Sequence, residues 1–213
     1  MFSIVIPTWN NLAHLQLVVR SIREHSSEAH QIIVHVNDGR DGSREWVRAQ
    51  GIAHTASDDN IGICYAMNEA AMLARHEHLV YMNDDMYCLP GWDTALQRRA
   101  AAMPSDLYLL SGTMVEPRDS GNPCVVVGPY GDGVDNFREA DLVDFLGRLV
   151  QRRELADLRA VIRFAIRQFC RRKIRCRVRI IFVAEVRQQL AIGRKDVRLD
   201  RILGLLLQIG LYL

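Results

Sequence analysis

A chain of 213 residues with 49% hydrophobic and 24% charged content can bury one sizeable core and is not a disordered polyelectrolyte. Its most apolar stretch, residues 202–213, is interrupted by Gln208 and is well short of the roughly 20 apolar residues that span a membrane. Five cysteines (Cys64, Cys88, Cys124, Cys170, Cys176) form no CxxC pair beneath a net charge of +2, which excludes a disulfide scaffold and fits a reduced, cytoplasmic protein.

The chain opens on an apolar run, Phe2 to Ile6, without the basic start and cleavage signal of a secretory leader. β-branched residues make it a buried strand, which Pro7 is expected to end. Asn10 or Asn11 can cap a helix whose apolar positions are Leu12, Leu15, Val18, Val19 and Ile22. Gln31 to Val36 is a second strand that stops at the turn formers NDGRDGS. Here Asp38 can cap a short helix over 44–50. Residues 52–55 form a weak third strand, and 62–75 show helical spacing through Ile63, Ala66, Met67, Ala70 and Leu73. Leu79 to Met82 is a fourth strand that ends at NDD. A helix follows over 92–102, then strands over 107–110 and 125–127, and NFREADLVDFL reads as a helix with a charged face.

Strand, helix, strand in this order predicts an α/β fold with a mostly parallel, Rossmann-like sheet and flanking helices. Ligands of such sheets collect at the carboxyl ends of the strands. The polar clusters Thr8-Trp9-Asn10, Asn37-Asp38-Gly39 and Asn83-Asp84-Asp85 follow strands one, two and four, so one rim should hold all three. Asn83 and Asp85 can point the same way from an extended segment. Their hard oxygens suit Mg²⁺ or Mn²⁺, cations that complete their shells with phosphate and water. A carboxylate at Asp38 can accept from the imide N–H of a pyrimidine or from ribose hydroxyls. The chain has neither GxxxxGK[ST] nor GxGxxG, and no lysine before residue 173. A diphosphate would therefore be neutralised by a metal, by arginine or by helix amino ends. Trp9 either stacks on a base or joins the core. Cys88 reads as packing, His76 and His78 as solvated, and His14, His25 and His35 show no metal-ligand spacing.

IPTWNN, VNDGRDGS, DNIGICYAMNEA and YMNDDMYCLPGWD together resemble the amino-terminal half of family-2 glycosyltransferases, which have the GT-A fold; the likeness covers about residues 2–140. The resemblance implies that Thr8 and Asn10 lie near base or ribose and that Asp38 contacts the base, although Asn37 stands where the family has a paired acid. It implies that Asn60, Gly62, Ala66 and Asn68 pack a helix against nucleotide and sugar, with Ala70 replacing a glycine. In the D-x-D-type motif Asp85 matches the metal ligand, Asp84 the middle position, and Asn83 replaces the first acid. The implied reaction is inverting, metal-assisted transfer from a nucleoside-diphosphate sugar to a saccharide or lipid-linked hydroxyl. A catalytically incompetent nucleotide-sugar-binding fragment is the alternative. A sugar-1-phosphate nucleotidyltransferase fits less well, since a basic phosphate loop is missing. No residue is assigned as general base; Glu139, Asp141, Asp144, Glu154, Asp157 and Glu185 are the acids considered.

The amino acid usage changes near residue 147. Residues 1–147 carry 10 arginines and no lysine against 20 acids, a net of −10, whereas 148–213 carry 17 basic residues against 5 acids, a net of +12. The latter stretch has no Ser, Thr, Asn, His, Pro, Met or Trp, which is abnormal for a folded domain. We therefore divide the chain into a nucleotide-sugar-binding domain, 1–147, and an atypical, helical, arginine-rich tail. Arg159, Arg163, Arg167, Arg171 and Arg175 recur every four residues, which suits a basic helix lying peripherally on anionic lipid. The lack of interleaved aromatic residues argues against nucleic acid. A shifted reading frame of a GC-rich gene explains the composition better, and translation of the coding DNA in its other two frames tests it: absence of later family motifs there would reject it.

Overall fold

The computed structural model describes residues 1–104, 108–119, 125–151 and 179–182. The chain order is β1 (Ser3–Trp9), α1 (Leu12–His25), β2 (Gln31–Asn37), α2 (Ser43–Ala49), β3 (Ala53–Ser57), α3 (Ile63–Ala71), β4 (His78–Tyr81) and α4 (Trp92–Ala101). β5 (Leu109–Ser111), β6 (Met114–Glu116), β7 (Val125–Val127), a 3-10 turn (Val134–Asn136), α5 (Glu139–Gln151) and β8 (Arg179–Phe182) follow. The main sheet has the order β3-β2-β1-β4-β8-β5, and its pairings are parallel. β6 and β7 form a separate parallel pair.

Period-two alternation in the strands separates two layers of core. Phe2, Ile4 and Ile6 join Leu15, Val18, Val19 and Ile22 of α1, Val47 of α2 and Leu96 of α4 on one face. Val5 and Ile33 meet Met67 and Ala70 of α3 on the other. Ile4, Ile6 and Leu15 are fully buried, and each such side chain contributes about 1.5–3 kcal/mol.

Several boundaries differ from the sequence-based expectation. β1 continues through Pro7 to Trp9 instead of ending at the proline. Val5 O accepts from Met82 N at 3.1 Å, so residues 5 and 7 present their backbone polar groups toward β4. The β1–β4 register ends at the Val5–Tyr81 pair, so Pro7 lies beyond the last paired residue on that side, where a missing donor is tolerated. α3 stops at Ala71, four residues before the expected end. The backbone N–H of Arg75 is shared between Gln31 Oε1 at 2.8 Å and Ser3 Oγ at 3.1 Å, drawing the chain out of the helix. His78 is half-buried, with Nε2 2.9 Å from Tyr108 Oη, and is not the solvated residue expected. α5 runs through the composition break at 147. In the tail, residues 179–182 form strand β8 where helix was expected; the arginine repeat lies outside the described residues. No helix among the described residues is long and apolar enough to cross a membrane.

Candidate functional site

From β1 the chain proceeds to β2 and β3 on one side of the sheet and then crosses to β4 on the other. The switch point is thus between β1 and β4, where open α/β sheets form their crevice. Thr8, buried at the end of β1, donates from Oγ1 to Asp84 Oδ2 beyond β4 at 2.6 Å. Asn10 adopts a left-handed φ of 49° and Asp38 one of 63°, conformations that Asn and Asp tolerate best among side-chain-bearing residues. The bends bring Asn10 Nδ2 to 3.1 Å from Asp38 Oδ2, while Asn10 Oδ1 accepts from Gly39 N at 3.1 Å. Thr8, Asn10, Asp38 and Asp84 therefore share one rim. At Gly39, φ is +84° and an added Cβ would come within 2.9 Å of Val36 Cγ1, so the turn beside Asp38 requires glycine.

Burial raises the Asp84 pKa; the Thr8 hydrogen bond opposes this, and the neighbouring Asp85 charge adds to it. Asp85 itself is exposed and, among the described residues, has no ion pair or hydrogen bond. Tyr81 Oη donates to Asn83 Oδ1, which engages the amide oxygen at the position of the family's first acid. No group of three or more His, Cys, Asp or Glu side chains that could hold a metal occurs among the described residues. A single free carboxylate fits a hard cation whose remaining ligands are phosphate and water oxygens.

Asn37 is buried and takes no place on the rim surface. Its Nδ2 donates to the Thr8 carbonyl at 3.3 Å and its Oδ1 accepts from Ile61 N at 3.0 Å. Asn60 Oδ1 accepts from Gly62 N at 2.9 Å in the loop that enters α3, and Gly62, with φ +80°, occupies the cap position. Asn68 is further along α3 on an exposed face. Trp9 is 58% exposed at the end of β1 and so does not join the core. Cys88 is buried, and burial pushes its thiol up to about 12, consistent with packing and not with a nucleophile.

The caps are not where spacing put them. Neither Asn11 nor Asp38 caps a helix with its side chain. Asp41 Oδ2 instead accepts from Leu12 N of α1 at 2.6 Å, and its carboxylate accepts from Ser43 N and Oγ of α2 at 3.1 and 2.8 Å. A tertiary contact between two loops leaves no signal in helical periodicity. The acids of α5 are also engaged: Glu139 binds Arg20 with both oxygens, at 3.1 and 2.6 Å, and accepts from Tyr87 Oη at 2.7 Å. The Arg20 and Tyr87 bonds hold its carboxyl below the usual range. Tyr87 meets His25, in the last turn of α1, edge to face at 5.5 Å between ring centroids. Asp141 and Asp144 pair with Arg138 and Arg148; Glu154, Asp157 and Glu185 lie outside the described residues. A depression of about 980 Å³ at the opposite end of the strands, among Ile22, Ile32, Ile52 and His54, includes none of the rim residues.

Among solved structures, S. aureus TarS 1-349 is similar with a TM-score of 0.50 and 17% identity, over 56% of this chain and 37% of that one. A complex of that protein with UDP gives 0.44 and 18%, over 54% and 36%. Glucosyl-3-phosphoglycerate synthase from Mycobacterium tuberculosis in complex with UDP gives 0.45 and 12%, over 99% and 80%. The chain thus spans between 22% and 37% of the TarS structures it matches. No curated protein matches the sequence. The parallel sheet with flanking helices is the GT-A arrangement, and the model of the family described as Glycosyl transferase family 2 matches residues 3–123: the chain belongs to that family.

Proposed function

We propose that this chain binds a nucleoside-diphosphate sugar across the β1–β4 switch point and transfers the sugar to a saccharide or lipid-linked hydroxyl with inversion. The observation that carries the reading is the 2.6 Å bond between Thr8 and Asp84, which joins the first and last rim motifs across the crevice. Asp38, Asn10 and Thr8 hold base and ribose, with Trp9 available to stack. Asn60, Gly62 and Asn68 contact nucleotide and sugar from the α3 side, while Asn83 and Asp84 border the diphosphate.

Asp85 would hold Mg²⁺ or Mn²⁺, which supplies positive charge where negative charge develops on the departing diphosphate. The acceptor oxygen forms its bond to the anomeric carbon on the face opposite the leaving group as the bond to diphosphate breaks. Its proton passes to a carboxylate base. Glu139 is disfavoured for that role, because Arg20 and Tyr87 engage its carboxylate and depress its basicity. This engagement of the α5 acids favours one competing reading, a nucleotide-sugar-binding module without turnover.

A panel of UDP- and GDP-linked sugars should raise the melting temperature only with Mn²⁺ or Mg²⁺ present, and the shift should vanish in Asp85→Ala. Equal stabilisation of that variant would refute the metal assignment. Donor hydrolysis or transfer with Mn²⁺ marks an active enzyme; binding without either selects the module.

A further inference from the structure

We infer that His35 and Ser57, buried or half-buried behind the rim, are positioning residues that hold the 58–62 loop in place for the donor nucleotide. The inference rests on the nucleotide reading above and adds to it two residues that no rim motif contains. His35 lies on β2 with 1% exposure. Its two ring nitrogens meet hydroxyls of β3, Nδ1 at 2.8 Å from Thr55 Oγ1 and Nε2 at 3.2 Å from Ser57 Oγ. Ser57 Oγ is also 2.6 Å from the Asp59 carbonyl and 3.2 Å from Asn37 Oδ1.

A hydroxyl has one proton to give. A carbonyl only accepts, and the Asp59 contact is the shorter, so the Ser57 proton points to Asp59. Ser57 then takes its own bond from His35, which fixes the neutral Nε2–H form with Nδ1 accepting from Thr55. Burial lowers the His35 pKa and favours that neutral form, against the opposing pull of the Glu69 carboxylate on α3. The relay thus runs from His35 through Ser57 to the backbone of Asp59. Asn37 holds the same loop two residues further on, at Ile61 N. Between these anchors lies Asn60, and the loop ends at Gly62, the cap of α3.

The test uses the full chain as wild type, Ser57→Ala and Ser57→Thr. Amide exchange of the 58–62 peptide without ligand should speed up in Ser57→Ala while the global melting temperature stays close to wild type. Calorimetric titration with UDP and with GDP, each with Mn²⁺, should show Kd raised about three- to tenfold in Ser57→Ala, as expected for loss of one hydrogen bond. Ser57→Thr, which keeps the hydroxyl, should restore both. Wild-type binding that Ser57→Ala leaves unchanged overturns this inference alone, as does unchanged exchange at 58–62 or a Ser57→Thr variant as weak as Ser57→Ala. Wild type that binds neither nucleotide overturns the nucleotide reading and this inference with it.

Discussion

At the amino end of α1 the N–H of Leu12 has no acceptor within its own helix, and Asp41 provides one from a loop 29 residues further along the chain. The same carboxylate serves Ser43 at the start of α2. Asp41→Ala should therefore cost more than an ordinary single cap, about 1–3 kcal/mol, since two helix starts lose their acceptor. Asp41→Asn should recover part of this. Urea denaturation of the two variants decides it, and a loss below about 0.5 kcal/mol in Asp41→Ala, the scale of an ordinary surface change, would refute the double-cap assignment. Thr8, Asp38 and Asp84 were legible as neighbours on one rim because each follows an apolar run at a strand end. The inward-facing roles of Asp41 and Asn37 were not legible, because a turn rich in Asp, Asn and Gly does not reveal which of its polar groups faces inward.

Among the elements, α5 illustrates a charged face whose chemistry depends on a partner far away in sequence. Glu139 and Arg20 are separated by 119 residues and remain partly exposed, at 33% and 43%. An exposed ion pair contributes roughly 0–1 kcal/mol, even with good geometry. Glu139→Gln should thus lower stability by no more than about 1 kcal/mol and leave turnover, where measurable, within a few-fold. A general base would instead lose about 10²–10⁴ in rate, so a kcat/KM comparison separates a clasp from a catalyst. The alternation of strands and helices was readable from periodicity through α4. The strands expected over 107–110 and 125–127 are found as β5 and β7, but β6 and β8 were not read, since three or four residues without a clear apolar run give too brief a pattern to distinguish strand from loop.

For the whole molecule, the end of the sheet opposite the rim sets the response to acid. His30 and Asp93 have fully buried side chains 3.0 Å apart, and His30 Nδ1 accepts from Phe2 N at 3.1 Å. Burial lowers the His30 pKa, against the hydrogen bond that its Nε2–H donates to Asp93, so the folded state favours the neutral ring. Burial of Asp93 opposes its ionisation, but bonds from Ser27, Thr94 and His30 prevail and hold its carboxyl below the usual range. Both folded-state values are depressed, so the unfolded chain binds more protons and stability must fall as pH falls. The His30 contribution is complete above its ordinary value of 6.5 and is lost as pH drops from there toward the lower folded value. The Asp93 contribution follows the same course below 3.8. Denaturation midpoints between pH 7.5 and 5.5 should decline in wild type and decline less steeply in His30→Gln, where buried His35, whose pKa is also lowered, supplies the remainder; an unchanged slope would count against His30 as a contributor.

Pro7 bears on how the crevice comes to exist. A zipper of peptide bonds between β1 and β4 cannot close past the proline, because the next tooth is a ring carbon. The covalent chain therefore favours an open ladder at this point, beyond the Val5–Tyr81 pair. Entry of a guest should leave the separation of these two strand ends unaltered, so that whatever adapts to the guest is the surrounding loops.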